Sequence, residues 1–90
     1  MDRPDEKNQE ELVVDQPEIA AFFLFEKNHR EANITIRPFL QGKLVAWEVK
    51  GDNILALLQK IYNDTPIPIN SYLRDLKEIR SQIYIFKGVK

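Results

Sequence analysis

The segment from Asn33 to Lys50 constrains the fold most, because its side chains alternate with a period of two on both sides of one glycine turn. Ile34, Ile36 and Leu40 fall on one face and Thr35 and Arg37 on the other. After Gln41-Gly42, Val45, Trp47 and Val49 share a face, with Leu44, Ala46 and Glu48 opposite. Two such runs around a short turn read as an antiparallel hairpin. Pro38 has no N–H to give a ladder, so its strand is an edge or bends there. Gly51 ends the second strand.

The period changes at Asp52, which can cap a helix over Asn53 to Asn63. Ile54, Leu55, Leu57, Leu58, Ile61 and Tyr62 recur there at helical spacing. The apolar stripe covers more than half of this helix, which calls for cover on two sides. Pro66 and Pro68 stop it and hold the chain extended. Asn70 or Ser71 then caps a second helix, Ser71 to Ser81. Tyr72, Leu73, Leu76 and Ile79 line its apolar side, and Arg74, Asp75, Lys77, Glu78 and Arg80 face water.

Two aromatic-rich runs remain. Ile19 to Lys27 (IAAFFLFEK) carries a helix-start pattern at Asp15-x-x-Glu18. Its Phe22-Phe23-Leu24-Phe25 core favours a strand buried on both faces. Gln82 to Lys87 (QIYIFK) reads as a closing strand by the same token. The expected fold is therefore α+β in the order β-β-β-α-α-β, a four-stranded, mostly antiparallel sheet with two helices on one face. The chain of 90 residues has room for one domain, expected over 19–90. Residues 1–18 read as a disordered acidic tail, with Leu12-Val13-Val14 as a short edge strand or a docking patch.

Charge is split between these parts. Residues 1–18 carry a net −5 and residues 19–90 a net +4, for −1 overall. There is no cysteine, which removes disulfides, thiolate metal sites and cysteine nucleophiles. No apolar run near the start resembles a signal peptide, and none reaches the ~20 residues of a membrane span. The expected location is the cytoplasm.

The residues offer little catalytic chemistry. His29 is the one histidine and reads as a solvated loop side chain between Lys27 and Arg30. Its alternative role is a pH-sensitive interface group. Glu48 reads as a rim carboxylate paired with Lys43 or Lys50. Three glycines write no phosphate-binding loop, and no zinc or calcium ligand spacing occurs. The expectation is a non-enzyme with no cofactor and no metal.

Surplus apolar surface supplies the functional expectation: a small binding or regulatory module acting through protein–protein contact, with an unknown partner or a second copy of itself. Ile54, Leu57, Ile61, Ile67 and Ile69 are the candidate interface. The alternative is a nucleic-acid-binding regulator using Arg37, Lys43, Arg74, Lys77, Arg80 and Lys87, with the acidic tail competing for the basic surface. A third class, a small-ligand carrier, requires a cavity between the first helix and the sheet.

Overall fold

The computed structural model describes residues 9–63 and 66–87. Its elements are β1 (Gln9–Val14), α1 (Pro17–His29), β2 (Ile34–Gln41), β3 (Leu44–Asp52), α2 (Ile54–Tyr62) and α3 (Ile69–Lys87). The order is β-α-β-β-α-α. Three strands form one antiparallel sheet in the order β1-β3-β2. This corrects the four-stranded β-β-β-α-α-β expectation.

The hairpin β2–β3 is as its alternation predicts. Ile34 pairs with Gly51 and Gln41 with Leu44, around a turn in which Gly42 has φ 65°. β2 lies at the sheet edge, where Pro38 breaks no ladder. The opposite edge belongs to β1, where Gln9 pairs with Asp52 and Val14 with Trp47. The tail expected over residues 1–18 therefore divides. Residues 9–14 are a strand and Pro17 opens α1, while residues 1–8 lie outside the described residues.

One sheet face is the core face. Val14, Ile34, Val45, Trp47 and Val49 are buried there against Ala20, Phe22 and Phe23 of α1, Ile54 and Leu57 of α2, and Leu76 and Ile79 of α3. The other face is open to water and carries a charge ladder across all three strands. Lys50 lies 3.3 Å from Glu11 and 3.7 Å from Glu48, and Arg37 stands opposite Glu48 in register.

Ile19 to Lys27 is helix, not strand. Pro17 suits the first helical turn, and the run reaches 13 residues, long for a strand and ordinary for a helix. Glu18 in the first turn and Lys27 and His29 in the last complement the helix dipole. The run shows no stripe because α1 is buried on most sides between the sheet and α3; Phe23 and Phe25 are essentially inaccessible.

Gln82 to Lys87 is helix as well. Nothing between Ser81 and Gln82 breaks α3, the Ser81 hydroxyl donates to the Lys77 carbonyl at 3.0 Å, and extending an existing helix avoids the cost of a new nucleus.

Two local devices join β3 to its surroundings. Gly51 has φ 147°, and a Cβ there would stand 2.3 Å from the Asn33 carbonyl oxygen, so only glycine fits. Asn53, at the N-terminus of α2, is left-handed and gives no side-chain cap. Glu10 of β1 fills that role, its carboxylate accepting the Leu55 N–H at 2.9 Å.

Candidate functional site

Buried charge is costly and therefore informative. Among the described residues, Glu26 and Asp75 are the buried charged side chains, at 1% and 4% exposure, and both attach to the last turns of α1. Glu26 meets Arg30 one turn on, at 3.0 Å, and Lys60 of α2 at 3.4 Å. Asp75 of α3 accepts the Asn28 amide at 3.0 Å on one oxygen and has His29 Nε2 3.1 Å from the other. That second oxygen is buried and gains a hydrogen bond only when the imidazole carries its proton on Nε2. Phe25 sits between the two systems, with the His29 ring 5.0 Å away and the Arg30 guanidinium 5.1 Å from its centroid.

His29 is thus the last residue of α1 and a link to α3, not a free loop side chain. Asp75, expected to face water, lies inside. The place of His29 follows from α1 being a helix: Phe25 with His29 and Glu26 with Arg30 are spacings of four, which become contacts only on a helix. Asp75 itself falls between Tyr72, Leu76 and Ile79 on the inner side of α3, a signal that its charge masked.

Two open clefts flank Lys60. The first, of about 360 Å³, lies between α1, the end of α2 and the connector into α3; Ile19, Phe22, Ile61, Pro66 and Ile67 make its apolar walls, with Glu18, Lys60 and Tyr72 at its margins. The Tyr72 hydroxyl donates to the Glu18 carbonyl at 2.9 Å. Burial, with a smaller contribution from the Glu18 carboxylate, raises the Tyr72 pKa above its usual 10.0, against an opposing effect of Arg80. The second cleft, of about 330 Å³, is polar and is lined by Glu26, Arg30, Asn33, Asp52, Asn53 and Lys60 among others. Asp52 is engaged there by the Asn33 amide at 2.8 Å and the Gln9 amide at 3.3 Å.

The candidate interface residues do not form one exposed patch. Ile54 and Leu57 are in the core, Ile61 and Ile67 pack partly against it, and Ile69 alone is 59% exposed. The sheet covers one side of the wide α2 stripe, at Ile54 and Leu57; on the other side Leu55 is 54% and Tyr62 73% exposed. Three further exposed apolar side chains are consecutive, and others lie at the hairpin end. The last turn of α3 carries Tyr84 at 59%, Ile85 at 74% and Phe86 at 40%, and the hairpin end carries Leu40 and Leu44.

The basic residues divide between opposite sides of the molecule. Arg37 is on the open sheet face, beside Glu48, and Lys43 is in the hairpin turn. Arg74, Lys77 and Arg80 are exposed on α3, which packs on the other sheet face, and Arg80 lies 3.9 Å from Glu18. Lys87 ends α3. Glu48 is half-exposed beside Lys50, as its rim position suggests.

Among the described residues no group of three or more His, Asp or Glu side chains is placed to hold a metal ion. No described helix is long and apolar enough to cross a membrane. Comparison with family models, curated proteins and solved structures gave no match.

Proposed function

We propose that the protein is a small non-catalytic binding module that acts through protein–protein contact, and that its contact surface is the last turn of α3. One observation carries the reading. Tyr84, Ile85 and Phe86 are consecutive, so at 100° per residue they point to three sides of the helix, and each is exposed. A helical turn that is apolar all round is normally covered. Trp47 in the core donates to Gln82 at 2.8 Å, and Ile79 is the last fully buried residue of α3, so the body of the protein stops short of this turn. Large apolar side chains left uncovered in this way mark a surface that another polypeptide buries. A cytoplasmic location is part of the same proposal and rests on no feature of the fold.

A photoreactive phenylalanine analogue at position 86 tests this in the intact cell, with position 78 on the charged side of α3 as the control. The expected result is a discrete polypeptide adduct from position 86 and none from position 78. The adduct mass distinguishes a second copy of this chain from a different protein. Absence of any adduct from position 86, or equal labelling from both positions, contradicts the reading.

A further inference from the structure

The free edge of β1 is a second contact surface, distinct from the end of α3. We propose that it takes an extended segment of another protein as an added strand, one with apolar side chains at alternate positions and lysine or arginine between them. The two edges of the sheet differ. The β2 edge carries Pro38, which denies a visiting strand one N–H. β1 runs from Gln9 to Val14 with no proline, no lysine and no bulge in its register with β3, so its edge is open to pairing.

A groove accompanies that edge. It measures about 160 Å³ and is lined by Leu12, Val13 and Val14 of β1, Ile19 of α1, and Leu58 and Tyr62 of α2. Successive strand residues point to opposite faces, so a space that touches three in a row lies along the side of the strand. Its far wall is α2, where Leu55, Leu58 and Tyr62 are spaced three and four apart and form the exposed stripe that the sheet does not cover. The volume is below the roughly 300 Å³ at which small-molecule sites begin, and suits one side chain of a polypeptide. An added strand rests alternate side chains on this stripe while its backbone meets β1.

Charge selects the partner. Residues 9–18 hold Glu10, Glu11, Asp15 and Glu18 and no base. Glu11 shares Lys50 with Glu48, Arg37 stands opposite Glu48, and Arg80 lies 3.9 Å from Glu18. Five carboxylates thus meet three cations, a net −2. Glu10 keeps its charge, since its partner is the neutral Leu55 N–H, and among the described residues Asp15, which lines the groove, has no ionic partner. Lys60 is on the far side of α2, at Glu26, and residues 1–8 add three acids and two bases. A basic strand is therefore attracted, and a second copy of this chain, which brings the same acidic β1, is repelled.

The test uses the full chain, isotope-labelled, titrated with a hexapeptide that alternates lysine and valine and is capped at both ends. The control has glutamate in place of every lysine. The basic peptide is expected to move the amide signals of Leu12, Val13, Leu58 and Tyr62, and the acidic one is not. Two N-methylated versions of the basic peptide, one at the lysines and one at the valines, separate strand pairing from simple charge attraction. Successive N–H groups of a strand point to opposite sides, so one version should lose binding and the other keep it. Tyr62→Ala should weaken the basic peptide by about tenfold, as for a buried aromatic anchor, and Asp15→Lys by less, while far-ultraviolet circular dichroism reports that both variants are folded. No binding of the basic peptide at millimolar concentration overturns the proposal. So does equal binding of the acidic peptide, no difference between the N-methylated versions, an unchanged affinity in folded Tyr62→Ala, or signals that move only at Tyr84 to Phe86. Movement of the β1 signals with protein concentration alone places a second copy at this edge and overturns it too.

Discussion

Phe22-Phe23-Leu24-Phe25 and Tyr84-Ile85-Phe86 are alike in composition and opposite in fate. Both are dense in aromatic and branched apolar side chains, both favour strand by local propensity, and both are helical. The first lies between the sheet and α3, with Phe23 and Phe25 sealed from water; the second leaves all three of its side chains exposed. What separates them is the body of the protein, which reaches along α3 as far as Gln82 and Ile83 and no further. Apolar composition therefore says that a segment will be covered, without saying whether its own chain supplies the cover.

The strongest way to break this comparison is to truncate one aromatic in each run. Phe23→Ala should cost about 3–5 kcal/mol in urea unfolding, the usual range for a buried phenylalanine. The same change at Phe86 should stay within about 1 kcal/mol, as for a surface site. Equal costs would mean that α3 is buried to its end and that the contrast is false.

A smaller effect tests how α1 holds the inner part of α3. His29→Ala leaves one buried oxygen of Asp75 without a polar neighbour. It should cost about 1–2 kcal/mol, with Asn28 still bonded to the other oxygen. A neutral result would show that water reaches Asp75 and that the junction is looser than its geometry implies.

The pH response of Tyr72 sharpens the picture further. Its pKa is raised in the folded protein, so its contribution to stability is complete below pH 10.0 and is lost as the pH climbs through the folded value. Urea midpoints should fall more between pH 9 and pH 11 in the parent protein than in Tyr72→Phe, at roughly these pH values chosen to bracket the phenol. Parallel slopes would remove Tyr72 from the buried end of α3.

The sequence makes part of this visible for a physical reason. β2, β3 and α2 each face water on one side, so their periods of two and of 3.6 are printed in the alternation of Ile34, Ile36, Val45, Trp47 and Val49 and in the spacing of Ile54, Leu57 and Ile61. α1 is covered on most sides and so has no period to read. β1 was legible only as an edge strand at Leu12-Val13-Val14; its start at Gln9 and its partner were not, since Glu11 finds Lys50 across the ladder, a pairing 39 positions away that no local pattern announces. With α1 misread as a strand, Glu26 with Arg30 and Phe25 with His29 could not be seen as pairs, and Lys60 had no buried carboxylate to meet. The surplus of apolar surface was legible; its location was only partly so, because the sheet covers Ile54 and Leu57 of α2 but not Leu55 and Tyr62, and the end of α3 is covered by nothing in this chain that the structure describes.

The most direct measurement is carbene footprinting of Tyr84 to Phe86, performed on dilute purified protein and again inside the cell that makes it, with Phe23 as the internal reference. The account predicts heavy labelling of the α3 turn in the purified protein, clear protection of the same turn in the cell, and no labelling of Phe23 in either. Equal labelling of Tyr84 to Phe86 in both settings would contradict it, and would leave the turn as exposed apolar surface with no partner.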